Sequence, residues 1–186
     1  MIGNVFALLF KAESDIPDEK MEEFRMLSGF KPREIHRLKK SFLKYTENRD
    51  LLAKESFLSL EPLVNNPLKE RIALCFGYDE EVVELDFQAF LCGLALFNSP
   101  GQREQKLKTA FRIQDFDNDG VINKNDLVKY LEALTSGTLD EKQISEVADQ
   151  VLKETASDAL QENITYNDFQ RVVAPQDFQA KLRLPF

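Results

Sequence analysis

Apolar residues fall along this chain in helical stripes separated by short polar stretches. Met21, Phe24 and Leu27 make a short first stripe that ends at Gly29. Pro32 then opens a helix at a position that tolerates proline, and its stripe is Ile35, Leu38, Phe42 and Tyr45, interleaved with Arg33, Arg37, Lys39 and Lys40. Asn66-Pro67 reads as a cap and a first-turn proline for a helix carrying Leu68, Ile72, Leu74 and Phe76. Leu107, Ala110 and Phe111 predict another helix, and Leu127, Tyr130, Leu131 and Leu134 the next. Thr138 with Glu141 has the pattern of a capping box ahead of Ile144, Val147 and Val151. Ala174-Pro175 breaks the last helical pattern.

One apolar pair recurs across these stripes at a constant spacing: Leu52 with Phe57, Leu85 with Phe90, Ile122 with Leu127, and Ile164 with Phe169. Each pair follows one helical pattern and starts another, so the repeating unit is helix–loop–helix, four times over. The first member of each pair should form a short strand, with Leu52 facing Leu85 and Ile122 facing Ile164. The expected class is all-α: four helix–loop–helix units in two paired lobes with short β links. An apolar leader and linker helix span 1–30, an N-terminal pair 31–98, a C-terminal pair 99–174 and a tail 175–186. Ser99-Pro100-Gly101 punctuates the chain between the lobes.

Composition narrows the function. A chain of 186 residues supports one or two small cores, and its 15 Phe with no Trp make those cores aromatic. A formal charge of −8 argues against nucleic acid as a partner, since phosphate contacts need a basic surface. Cys75 and Cys92 are too few for a disulfide framework and read as reduced core thiols of a cytoplasmic protein, free, peripheral to a membrane or part of a larger assembly. No apolar run reaches the length of a membrane span, and the leader (Val5, Phe6, Leu8, Leu9, Phe10) lacks the basic flank of a secretory signal. His36 is the single histidine and has no nucleophile in view, so the chain is not expected to be an enzyme.

The candidate chemistry lies in Asp115–Asp126, DFDNDGVINKND. Asp115, Asp117 and Asp119 supply carboxylates at loop positions 1, 3 and 5, Gly120 the turn at 6, Val121 a backbone carbonyl at 7 and Asn123 position 9. Asp126 closes the loop at position 12. This is the spacing of an EF-hand, which wraps a hard cation in oxygens. The pattern wants Glu at position 12. Asp is one methylene shorter and gives a smaller shell, suited to Mg²⁺ or to weaker Ca²⁺ binding, so one divalent cation, Ca²⁺ or Mg²⁺, is expected. The other loops have lost ligands. The first offers Arg49 and Leu51, the second is a residue too long and closes on Ala89, and the fourth has Ala159, Gln161 and Glu162 at positions 3, 5 and 6.

SLEPLVNNPLKERI (Ser59–Ile72), KLKTAFRIQDFDNDG (Lys106–Gly120) and the ending APQDFQAKLRLPF resemble the calcineurin B-like superfamily, from about Phe30 onward. The lost first two hands, the long second loop and the Asp closing the third are most similar to the calcium- and integrin-binding (CIB) branch. The stretch EEFRMLSGFKPREIHRL looks more like the calcineurin B homologous proteins. The resemblance implies a non-catalytic adaptor or regulatory subunit that clasps an amphipathic helix of a larger protein in an apolar groove. That partner would be a membrane-protein tail, a phosphatase catalytic chain or a cytoskeletal or assembly component. The groove would draw on Phe90, Leu94, Phe97, Phe111, Leu127, Tyr130, Leu131, Leu134 and Phe169, with Phe178 and Leu182 of the tail lying over it. Two alternatives stand beside the adaptor: the regulatory B subunit of a calcineurin-type phosphatase, and a constitutive component of an assembly with little Ca²⁺ regulation.

Overall fold

The computed structural model describes residues 16–98, 103–156 and 163–173. The apolar leader, Ser99-Pro100-Gly101, fourth-loop positions 157–162, the Ala174-Pro175 break and the tail with Phe178 and Leu182 lie outside those residues. The described chain is helical, and its strands are four two-residue pieces. A leading helix α1 (Asp18–Ser28) precedes the first unit, α2 (Pro32–Tyr45), β1 (Leu52–Ala53) and α3 (Lys54–Leu58). The second unit is α4 (Lys69–Phe76), β2 (Glu84–Leu85) and α5 (Phe87–Asn98). The third is α6 (Arg103–Gln114), β3 (Val121–Ile122) and α7 (Lys124–Thr135); the fourth is α8 (Glu141–Thr155), β4 (Ile164–Thr165) and α9 (Tyr166–Val172).

The strands pair antiparallel in the expected register, Leu52 opposite Leu85 and Ile122 opposite Ile164. All four of these side chains are buried, so each two-residue link also plugs the floor of its lobe. The second members of the repeated pairs, Phe57, Phe90, Leu127 and Phe169, are buried on α3, α5, α7 and α9. The repeat read from the sequence is therefore the repeat of the fold.

Two helix starts differ from the sequence reading. Asn66 Oδ1 accepts the Leu68 N–H (2.9 Å) and its carbonyl accepts the Lys69 N–H (3.1 Å), closing a turn that contains Pro67, and α4 begins only at Lys69. The cap of α8 is Asp140, not Thr138. Asp140 Oδ1 accepts the Gln143 N–H (2.8 Å), while Gln143 Oε1 accepts the Asp140 N–H (3.0 Å). Thr138 instead donates its hydroxyl to the Thr135 carbonyl at the end of α7 (2.8 Å). The stripe buried on α8 shifts accordingly to Ile144, Ala148 and Leu152, with Val147 left 39% exposed.

The N-terminal core is a chain of aromatic contacts. Phe87 meets Phe24 and Phe42, Phe76 meets Phe57, Phe90 and Phe97, and Phe57 meets Tyr78, with ring centroids 4.7–5.9 Å apart. The C-terminal core is smaller and gathers Leu107, Phe111, Ile122, Leu127, Ala148, Leu152, Ile164 and Phe169. The two cores meet on α6, which packs against α4 and α5 and sends Ile113 into the N-terminal cluster. No described helix is long and apolar enough to cross a membrane.

Candidate metal centre

The third loop starts where α6 ends. Asn118 (φ 56°) and Gly120 (φ 90°) adopt the left-handed backbone that reverses the chain, a region in which glycine carries no steric penalty. The reversal turns two N–H groups onto Asp115: Asp119 donates to its Oδ1 (3.2 Å) and Gly120 to its Oδ2 (3.1 Å). Asp126, the third residue of α7, is fully buried and tied to both ends of the loop. Its Oδ1 accepts the Phe116 N–H (3.0 Å) and its Oδ2 the Asn123 N–H (3.0 Å).

One oxygen each from Asp115, Asp117 and Asp126 lies within 4.8 Å of the others. Burial, with the neighbouring Asp119 and Asp126 charges, pushes the Asp115 carboxyl up, against the hydrogen bonds it accepts from Gly120 and Asp119. A hard cation held among these oxygens would offset that repulsion, and an all-oxygen donor set is the one Ca²⁺ and Mg²⁺ prefer. The donors present therefore fit a divalent ion. Of the six residues expected from loop spacing, Asp115, Asp117 and Asp126 bring carboxylate oxygens together. Asp119 uses Oδ1 to accept the Val121 N–H (2.9 Å), and Asn123 Oδ1 caps α7 by accepting the N–H groups of Asn125 (2.8 Å) and Asp126 (3.2 Å).

The first two loops close on protein groups. Thr46 donates its hydroxyl to the Arg49 carbonyl (2.6 Å), and Arg49 Nε donates back to the Thr46 carbonyl (3.0 Å). Asp79 Oδ1 accepts the N–H groups of Glu81 (2.8 Å) and Val82 (2.6 Å), which holds its carboxyl below the ordinary value. In the fourth hand the closing Asp168 is buried, bonded to Thr165, and paired through Oδ1 with Arg171 (3.2 Å).

Sequence reasoning missed Arg71. It lies on α4 in the other lobe, is 9% exposed, and aims its guanidinium at the end of α6. Nε donates to the Ile113 carbonyl (3.1 Å), Nη1 to that of Phe116 (3.3 Å), and Nη2 to those of Arg112 (2.6 Å) and Asp115. The guanidinium also lies 4.7 Å from the centre of the Phe116 ring. The available signal was a full charge set into the apolar run RIALCF, where a helix otherwise turns its buried face.

The residues named for a partner groove divide by burial. Phe90, Leu94, Phe97, Phe111, Leu127 and Phe169 are buried in the two cores. Tyr130 and Leu131 are half-buried, and Leu134 is 46% exposed. Val147 and Val172 join Leu134 as exposed apolar side chains of the C-terminal lobe.

A family model described as an EF-hand domain pair matches residues 104–174, the segment that holds the converging carboxylates. Over nearly the whole chain the sequence is similar to B subunits of calcineurin. It is 32% identical to the type 2 calcineurin B subunit of Mus musculus over 166 residues, 89% of this chain and 92% of the relative. It is 30% identical to the calcineurin B subunit of Candida glabrata over 171 residues, 91% of this chain and 97% of the relative. The chain belongs to the calcineurin B-like EF-hand family. Within this calcineurin B-like protein, the paired hands with their β links are the EF-hand architecture, and the third hand is the one whose described carboxylates converge.

Proposed function

We propose that this protein is the non-catalytic, cation-binding regulatory B subunit of a calcineurin-type protein phosphatase. The observation that carries this is the end-to-end match: calcineurin B relatives align over about nine-tenths of this chain and of their own length. The relatives carry the calcineurin B name, so this reading takes precedence over the CIB-type adaptor. A non-catalytic role is supported by the thiols, since burial pushes both Cys75 and Cys92 up and keeps them protonated and weakly nucleophilic at neutral pH. The element of the partner chain that binds would be an amphipathic helix. Leu134, Val147 and Val172 leave apolar side chains on α7, α8 and α9 for it, and the buried core residues would reach it only through a rearranged core.

The third hand is to hold one divalent cation, Ca²⁺ or Mg²⁺, through Asp115, Asp117 and Asp126. Calorimetric titration should find one site, lost in Asp115→Ala; two or more tight sites would overturn it. Affinity purification from the native cell should recover a phosphatase catalytic chain together with its activity. Recovery of a membrane-protein tail or a cytoskeletal component instead would favour the adaptor reading. The constitutive reading draws support from the first two loops, which close on their own hydrogen bonds. It predicts a complex that survives chelator unchanged, whereas a Ca²⁺-regulated subunit loses affinity or activity on chelation.

A further inference from the structure

We infer that Arg71, carried by the N-terminal lobe, is the positioning residue of the cation site in the C-terminal lobe, so that cation binding and lobe docking are coupled. The inference rests on the cation reading above. The carbonyls of Arg112 and Ile113 are among those that the end of α6 leaves without helical partners, and those of Asp115 and Phe116 belong to the first two loop residues. One buried guanidinium serves all four. The peptide joining Asp115 to Phe116 is then held from both sides: its carbonyl, that of Asp115, by Arg71 Nη2 and its N–H, that of Phe116, by Asp126 Oδ1 (3.0 Å). Arg71 thus connects through one peptide to the carboxylate that closes the loop, and directly to the backbone of Asp115, which opens it.

Two effects of this side chain on a bound cation have opposite signs. Its charge repels a divalent ion and is drawn to the same Asp115 and Asp126 carboxylates. Its hydrogen bonds fix the loop entrance, so less backbone freedom is lost when the ion binds. Four carbonyl dipoles at a helix C-terminus absorb much of the guanidinium's field, and positioning is therefore the larger effect.

The test uses the full chain titrated calorimetrically with CaCl2 and with MgCl2. Arg71→Met removes charge and fork; Arg71→Lys keeps the charge and loses the planar fork. Both variants should bind the ion at least about tenfold more weakly than wild type. Tighter or equal binding by Arg71→Met, with Arg71→Lys unchanged, would mean that repulsion dominates and would overturn the inference. A wild-type chain that binds neither ion would instead overturn the cation reading. A second measurement needs no Arg71 variant. Cys75 lies on the next turn of α4, is 7% exposed, and sits close enough to feel the charges of Arg71 and Arg112. In a Cys92→Ser background, saturating Ca²⁺ or Mg²⁺ should slow modification of Cys75 by a thiol reagent by about fivefold or more, because coupling between sites is reciprocal. A rate indifferent to the ion would overturn the coupling.

Discussion

Asp126 and Asp168 hold the same place in their hands: each is the third residue of its helix and accepts the N–H of its own N-cap residue, Asn123 or Thr165. Their remaining oxygens differ. Asp126 Oδ1 takes the Phe116 N–H and faces Asp115 and Asp117, whereas Asp168 Oδ1 takes the Arg171 guanidinium. Lengthening the closing arm should therefore change selectivity at the third hand. Asp126→Glu is expected to raise Ca²⁺ affinity relative to Mg²⁺, since the longer side chain reaches with both oxygens. Competition titration reads this, and an unchanged or lower Ca²⁺/Mg²⁺ ratio would mean that the loop's hydrogen bonds set the shell. In the second loop a phenol does the structural work. Tyr78 is buried and donates to the Leu52 carbonyl (2.9 Å), and burial pushes its ionisation well above the usual range. Stability from the protonated phenol is thus full below about pH 10, where an unfolded tyrosine ionises, and is lost as pH rises further. Tyr78→Phe should cost about 1 kcal/mol at neutral pH and should flatten the alkaline fall in stability, as followed by urea unfolding at several pH values.

Helices and strands were the most legible level of this chain, and for identifiable reasons. The pairs Leu52/Phe57 to Ile164/Phe169 could be read because each joins a buried strand residue to a buried residue of the following helix. Burial of both members leaves little freedom in residue type. The misplaced starts of α4 and α8 arose where several polar residues compete: Asn66 satisfied a local turn, and Thr138 bonded backward to α7 while Asp140 capped forward. At the metal loop, spacing named six donors; Asp115, Asp117 and Asp126 bring carboxylate oxygens together, and Asn123 Oδ1 also caps α7, a use the loop spacing does not announce. Packing between helices left a fainter trace. Gly93 on α5 lies against α4 so closely that a Cβ there would sit 2.4 Å from the Phe76 ring and 3.0 Å from its Cα. Gly93→Ala should cost about 1–3 kcal/mol in urea unfolding, the usual penalty of overpacking. The same change in a Phe76→Leu background should cost less, because much of the clash is with the ring; equal penalties in both backgrounds would place the constraint in the α4 backbone instead.

The whole molecule is organised by one helix that serves both halves. By sequence α6 opens the C-terminal pair, and Leu107, Ala110 and Phe111 do pack in the C-terminal core. Ile113, two residues beyond Phe111, belongs to the N-terminal core, and Arg71 reaches back to the same end of the helix. No pattern within α6 reveals this division, since Phe111 and Ile113 are both simply apolar; it depends on which lobe lies on each side. The arrangement predicts how damage spreads. Ile113→Ala removes packing from the N-terminal core by a change in a C-terminal hand, at a cost of about 2–5 kcal/mol. Amide exchange should then quicken at both strand pairs, around Leu52–Leu85 and around Ile122–Ile164. Leu152→Ala, whose side chain packs in the C-terminal core among the described residues, should quicken exchange around Ile122–Ile164 and leave the Leu52–Leu85 pair slow. If Ile113→Ala instead leaves the Leu52–Leu85 amides as protected as in wild type, α6 belongs to the C-terminal lobe alone and the halves open independently.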